Sequence, residues 1–137
     1  MKNNPQSKLL PAFTLTELLV VLVIIGILVL LALPKLMPLI SRAKSTEAQI
    51  QLGHLHMLEK DFFYLKSKYS NTFEEIGYEH EKLVTDGGTA NYRVEIIEAT
   101  PTSFKARATA VVDFDSDGAF NVWEIDQEKN LVEVTKD

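Results

Sequence analysis

The sequence predicts an α+β protein in which one long N-terminal helix packs on a four-stranded antiparallel sheet. Two patterns in the 137-residue chain support this prediction. Apolar residues recur with a helical period up to about Tyr69, and from Ala90 onward they alternate with polar residues in the two-residue period of a strand. The helical stretch is too long for one compact domain, so we expect its first half to be buried in something else.

The first half of the predicted helix is a nearly unbroken apolar run from Lys8 to Leu33. From Leu18 onward all its side chains are apolar, and the run approaches the ~20 residues that a helix needs to cross a bilayer. This predicts one membrane-spanning helix. A secretory signal peptide has a shorter apolar core with a small-residue cleavage site after it, whereas here the small residue, Ala12, comes before the unbroken apolar part that starts at Leu18.

The second half of the helix is predicted to be amphipathic. Pro34 and Pro38 each remove a backbone donor, so we expect kinks there, but the helical pattern resumes at once. One predicted face is an apolar stripe at spacings of three, four or seven residues. The stripe contains Ala48, Leu52, Leu55, Phe62, Leu65 and Tyr69, and the polar face contains Lys44, Glu47, Gln51, Glu59 and Lys66.

A connecting region separates the helix from the sheet. The stretch from Thr72 to Glu75 has capping-box spacing, which predicts a short helix that Gly77 ends. A turn is predicted at residues 86–88. Four strands are then expected to form an antiparallel meander, and they cover residues 92–97, 104–112, 120–125 and 131–135. Small alanines at 106, 108 and 110 would let the helix approach the sheet closely.

Several classes of function are disfavoured by the composition. The net charge of −5 repels nucleic acid, so we expect no nucleic-acid partner. His54 and His56 are two residues apart on a helix and face different directions, and His80 has no companion. The sequence contains no cysteine, G-x-S-x-G, phosphate loop or H-E-x-x-H. We therefore do not expect an enzyme, and without disulfides the fold must be secured by packing, assembly or a metal.

An aspartate-rich stretch follows the second predicted strand. Counting from Asp113, acids fall at positions one, three and five, glycine at six, Asn121 at nine and Glu124 at twelve, which is the spacing of a calcium loop. An EF-hand needs helices on both sides, however, and both flanks here alternate like strands. One interpretation is a hairpin turn rich in Asp and Gly. The other is a Ca²⁺ site with the ligands Asp113, Asp115, Asp117, Asn121 and Glu124.

The string from Ala12 to Val21, AFTLTELLVV, resembles the processing signature of type IV pilins and of the pseudopilins of type II secretion. In that family a membrane peptidase cuts before the first aromatic residue, and the new amine is N-methylated. The resemblance implies a cut between Ala12 and Phe13, a methylated Phe13 terminus, and Glu17 as the fifth mature residue. Ala12 stands where the family most often has glycine, so we expect slower processing at worst.

Glu17 is an acid at the start of a membrane segment, where a charge costs a few kcal/mol and needs a partner. The resemblance implies that this partner is the amine at Phe13 of a neighbouring subunit during assembly. An alternative interpretation places Glu17 near the lipid headgroups, where its own helix N-terminus would stabilise it.

The resemblance also implies a structural role in a fibre. Residues 1–12 would be a leader, 13–35 a single-pass anchor in the inner membrane, and 36–137 a globular pilin domain on the periplasmic side. After processing, the chain would polymerise through its N-terminal helix into an extracellular or periplasmic fibre. The implied partners are identical or related pilin subunits, the prepilin peptidase and methyltransferase, the pilus or type II secretion assembly machinery, and membrane lipid. No cofactor is required, and Ca²⁺ is the one candidate.

Two alternatives stay open. The first is a pseudopilin of a type II secretion system, although the chain lacks the long variable loop and the Pro-Trp-Gly-type motif associated with major pseudopilins. The second belongs to a different class: an uncut, single-pass anchored calcium-binding module that never polymerises.

Overall fold

The computed structural model describes residues 11–137, so most of the predicted leader lies outside the described residues. The helices are α1 (Leu15–Lys66) and α2 (Phe73–Ile76), and a 3₁₀ turn covers Val84–Asp86. The strands are β1 (Tyr92–Ala99), β2 (Phe104–Ala110), β3 (Val122–Asp126) and β4 (Leu131–Thr135). Each element predicted from the sequence is therefore present, with boundaries shifted by a few residues.

The chain divides into two units, of which the first ends at Lys35 and the second is Leu36–Asp137. In the first unit α1 is long and apolar enough to cross a membrane, and none of its most apolar window is buried within the chain. The helix continues through Pro34 and Pro38, as the sequence pattern predicts.

The sheet in the second unit is a meander with the strand order β1-β2-β3-β4, and all neighbouring strands are antiparallel. Ala108 is the central register position, because it lies opposite Val94 on one side and Trp123 on the other. A bulge interrupts β1 between Ile96 and Glu98. The predicted α+β architecture, a long helix and a four-stranded antiparallel sheet, is confirmed.

The core lies between the sheet and the second half of α1. Ala48, Leu52 and Leu55 are fully buried on the helix side. The alternating alanines of β2 are also buried, which leaves room for the helix to lie close to the sheet. Large side chains fill the rest of this core, and the fully buried ones include Tyr92, Phe104 and Ile125.

Two side chains of α1 contradict the predicted faces. Leu65, expected in the core, is 80% exposed, whereas Glu59, expected in solvent, is 0% exposed. Steps of three and seven residues both rotate backward around a 3.6-residue helix, so Leu65 lies about 80° from Leu55 and has left the buried face. Glu59 lies on that face, and its Oε2 accepts a hydrogen bond from the Ser70 amide at 3.0 Å.

The connecting region is held by backbone contacts. Gly77 ends α2 with φ +69°, a conformation that suits glycine, but the Thr72 side chain makes no capping bond. Gly88 is packed against the backbone of Lys82, whose carbonyl accepts bonds from the amides of Thr89 and Ala90. A side chain at position 88 would collide with that carbonyl.

Candidate functional site

From Phe13 to Leu33 the apolar run exposes its large side chains. Phe13 is 90% exposed and Leu15 83%, and the large apolar residues from Leu18 to Leu33 are between 47% and 73% exposed. A helix that is apolar on every side is stable only in a bilayer or against other apolar helices. Within the described residues nothing covers the most apolar part of this segment, so a bilayer or other apolar helices must do so, as the sequence predicts.

The predicted processing site lies just before α1. Ala12 and Phe13 are both exposed, and neither residue belongs to a helix or strand. The peptide bond between them lies in irregular, accessible backbone, the kind of segment that proteases cut.

Glu17 is an exposed residue that forms a reciprocal capping box with Thr14. Its Oε2 accepts bonds from the Thr14 amide at 2.7 Å and from the Thr14 hydroxyl at 2.8 Å. In return, the Glu17 amide donates to Thr14 Oγ1 at 3.2 Å. These bonds satisfy backbone donors that the start of a helix otherwise leaves unpaired. The T-x-x-E spacing of Thr14 and Glu17 predicts this box, and the sequence analysis missed it.

The capping box gives Glu17 a role within its own chain, as the helix-terminus interpretation expects. Both bonds that the carboxylate accepts use Oε2. A carboxylate has lone pairs on both oxygens, so it can accept a further donor while it keeps the box. The geometry is thus compatible with a second role toward another chain.

Three aspartates come together in the loop between β2 and β3. Asp113, Asp115 and Asp117 each present one carboxylate oxygen, and these oxygens lie within 4.8 Å of one another. Their side chains also accept loop amides, with Ser116 and Gly118 donating to Asp113 at 2.6 and 2.8 Å. Partial burial raises the pKa of Asp115, and the neighbouring aspartates raise it further. Hard oxygen donors at this distance suit Ca²⁺.

The other two predicted calcium ligands lie elsewhere. Glu124 is on β3, where its Oε1 accepts bonds from Arg107 Nη2 at 2.6 Å and Nε at 2.9 Å. Asn121 is fully buried, where its Oδ1 accepts the Tyr92 hydroxyl at 2.7 Å and its Nδ2 donates to Glu133. An extended strand cannot return its side chains to the loop as an EF-hand helix does. The structure brings together the three aspartates without Asn121 or Glu124.

The sequence analysis also missed two contacts that tie α1 to the sheet region. Glu47 accepts the Asn91 amide with Oε1 and the Asn91 side-chain nitrogen with Oε2, both at 2.7 Å. The Ser41 hydroxyl donates to the carbonyl of Asp137, whose carboxylate accepts the Phe114 amide. These contacts are between residues far apart in the chain, so no local pattern could reveal them.

No protein-family model matches the chain. The chain is similar to the type IV major pilin protein PilA of Myxococcus xanthus (strain DK1622), with 38% identity over 91 residues. The match covers 66% of this chain, but only 38% of the length of that relative. Over these 91 residues the chain is thus similar in sequence to a type IV pilin, and it also has an apolar N-terminal helix and a four-stranded antiparallel sheet.

Proposed function

We propose that the chain is a structural subunit of a type IV pilus or a pilus-like fibre, and that it catalyses no reaction. The observation that carries this proposal is the apolar run, none of whose most apolar window is buried within the chain. A bilayer and a bundle of identical helices are the two environments that would cover it, and a pilin uses each in turn. The similarity to a protein named as a type IV major pilin supports a pilus before a secretion pseudopilus.

In this proposal the chain is first held in the inner membrane with residues 36–137 on the periplasmic side. A prepilin peptidase cuts between Ala12 and Phe13, and the new Phe13 amine is methylated. Subunits then leave the bilayer and pack through residues 13–33. In the bundle, contact with other helices replaces contact with lipid. Without either cover, the apolar surface would face water at a cost of roughly 25 cal/mol per Å².

Glu17 is proposed to pair with the Phe13 amine of a neighbouring subunit as that subunit joins the fibre. A charge taken into an apolar bundle needs an opposite charge or hydrogen bonds. The capping box already supplies Thr14 donors to Oε2, and a neighbouring ammonium group would supply the missing positive charge.

A pair of substitutions separates the assembly role of Glu17 from its capping role. Glu17→Gln keeps a capping box, because glutamine serves at this position, but it removes the charge. Thr14→Ala keeps the charge but removes the hydroxyl partner, at a cost of about 1 kcal/mol in helix stability. We expect Glu17→Gln to lose most fibres and Thr14→Ala to keep most of them, as counted by electron microscopy of sheared cell preparations.

Immunoblots of the membrane fraction should show equal amounts of both variants and the unaltered chain. Abundant fibres from Glu17→Gln would remove the charge pairing from the proposal. If the unaltered chain were processed and present but built no fibres with any partner subunit, the fibre function itself would be wrong.

A further inference from the structure

The second unit contains an open cleft between α1 and the edge strand β4. All of its lining residues lie between Pro38 and Asp137, within that unit. Its volume is about 530 Å³, which is in the range of roughly 300–1,000 Å³ typical of sites that hold small molecules. None of the residues discussed above for processing, assembly or calcium lines this cleft.

Two positively charged side chains of the cleft have no acidic partner within the chain. They are Arg42 and Lys136, and both are exposed. The ion pairs found among residues 11–137 are instead those of Glu124 with Lys105 and Arg107. A guanidinium group presents its N–H donors in a planar fork that matches the oxygens of a phosphate. The cleft can therefore bind an anionic group of this kind.

The two acidic residues of the cleft differ in the hydrogen bonds they can still accept. Asp137 uses both carboxylate oxygens, which accept the amides of Phe114 and Asp115. Glu133 uses only Oε1, which accepts the side-chain nitrogen of Asn121 at 2.8 Å. Within the described part of the chain, Oε2 of Glu133 accepts no bond, and a free carboxylate oxygen suits an ammonium group. The cleft thus offers a ligand two cations and one free anionic oxygen.

Trp123 forms the apolar part of the lining together with Pro38 and Leu39. The Trp123 side chain is half-buried, and its Nε1 is buried with no hydrogen-bond partner among residues 11–137. A buried donor in this state is a sign of a water molecule or ligand atom that completes the bond. Tryptophan is also typical of the layer between water and lipid, where its ring is apolar and its N–H is polar.

The cleft begins close to the apolar run along the chain. Pro38 is five residues after Leu33, where the run ends, and five residues span at most about 18 Å even when fully extended. If the run spans a bilayer, the cleft is therefore within reach of the lipid headgroups around it.

We propose that this cleft binds the headgroup of a phospholipid that carries a primary ammonium group, as phosphatidylethanolamine does. Arg42 and Lys136 bind the phosphodiester, and Oε2 of Glu133 accepts the ammonium group. Trp123 contacts the start of the acyl chains. Charge complementarity favours this headgroup, because a glycerol headgroup brings no positive charge to Glu133 and a choline headgroup has no N–H to donate. The inference rests on the membrane stage of the proposed function, before the subunit joins a fibre.

The fluorescence of Trp123 tests the proposal, because Trp123 is the single tryptophan and lines the cleft. The full chain is reconstituted in phosphatidylcholine bilayers with a small fraction of a lipid whose acyl chains are brominated next to the headgroup, since bromine quenches tryptophan on contact. Brominated phosphatidylethanolamine should quench about threefold more strongly than the same fraction of brominated phosphatidylcholine, the ratio expected from one exposed ion pair.

Three variants separate the contributions of the charged groups. Glu133→Gln keeps an oxygen for Asn121 but removes the charge, so the two brominated lipids should quench equally. Arg42→Gln should reduce quenching by both lipids. Arg93→Gln is the matched control, because it removes an exposed cation of β1 outside the cleft and should leave quenching unchanged. The emission maximum of Trp123 without brominated lipid checks that each variant is folded.

Equal quenching of the unaltered chain by the two brominated lipids would overturn the proposal, and so would an unchanged preference in Glu133→Gln. Complete displacement of the lipid by soluble phosphoethanolamine would assign the cleft to a free solute and would also contradict a lipid site. None of these measurements needs fibres, so they can fail while the fibre function stands. A chain that does not enter the bilayer would instead contradict the membrane stage of the proposed function, and this inference with it.

Discussion

Glu59 is a buried carboxyl whose replacement by glutamine is expected to stabilise the protein at neutral pH. Its side chain is 0% exposed, and Oε2 accepts the Ser70 amide at 3.0 Å. Among residues 11–137, Oε1 has no hydrogen-bond partner although it is buried. Burial raises the pKa of Glu59 above its ordinary value of 4.5; the Ser70 amide opposes this shift, and the charge of Glu75 adds to it.

The sign of the pH dependence follows from this raised pKa. Between the unfolded and folded pKa values the folded chain binds more protons, so its stability falls as the pH rises. The favourable contribution of Glu59 is fully present below about pH 4.5 and is lost as the pH passes through the raised folded pKa. Above that folded pKa the chain bears the cost of a buried charge with one unpaired oxygen.

Glu59→Gln removes the charge and keeps an oxygen for the Ser70 amide. An unpaired buried polar group costs about 1–3 kcal/mol, and more when charged, while the glutamine still leaves its own NH₂ unpaired. We therefore expect Glu59→Gln to be more stable than the unaltered chain by about 1–2 kcal/mol near pH 8. The difference should fall to about zero near pH 4, where both side chains are neutral.

Urea unfolding of the full chain in detergent measures this difference in the free energy of unfolding. The fluorescence of Trp123, the single tryptophan, monitors the transition. Glu59→Leu removes the acceptor for the Ser70 amide and should be about 1–3 kcal/mol less stable than Glu59→Gln. Glu79→Gln is the control for a carboxylate lost at the surface, because Glu79 is exposed, and it should change the stability by less than about 0.5 kcal/mol at both pH values. A difference between Glu and Gln at position 59 that is the same at both pH values would refute the reasoning.

Two further predictions test the core and the aspartate loop. Leu52→Ala should lower the free energy of unfolding by about 2–5 kcal/mol, because it opens a cavity in the core. Leu65→Ala, at an exposed position, should lower it by less than about 0.5 kcal/mol. Similar losses for the two variants in urea unfolding would contradict the assignment of the helix faces. Millimolar Ca²⁺ is expected to raise the midpoint of thermal unfolding, because the three aspartate carboxylates would bind the ion in the folded chain. Asp115→Asn should reduce this shift, whereas Glu124→Gln should leave it unchanged. No shift with calcium would leave the loop as a plain turn.

The helix and the sheet could be predicted because their patterns are local and long. Alternation along β2 places Phe104 and the following alanines on one face, and the structure buries them all. The prediction was wrong for Val112, which is 38% exposed, because β2 ends at Ala110 and the chain turns into the aspartate loop. Where a strand ends depends on its pairing partners, which alternation alone does not reveal.

The faces of α1 were harder to assign. Glu59 was placed in solvent because of its residue type, but its partner is the amide of Ser70, 11 residues further along the chain. The pairing of Glu47 with Asn91 is equally invisible, since the two are 44 residues apart. A polar residue on a buried face requires a specific distant partner, and a period in the sequence cannot identify it.

The aspartate loop shows the limit of a spacing motif. The motif assumes that Glu124 returns to the loop on a helix, but β3 carries it to Arg107 instead. The capping box at Glu17 is the opposite case, because the spacing of Thr14 and Glu17 was sufficient to predict it. Both cases show that a motif is informative only together with the secondary structure on either side.

The N-terminal residue of the subunit in purified fibres tests the central claim most directly. N-terminal sequencing together with intact-mass measurement should give a chain that begins at Phe13 and carries one additional methyl group. A chain that begins at Met1, or at any residue other than Phe13, would contradict the account of processing and assembly through the N-terminal helix.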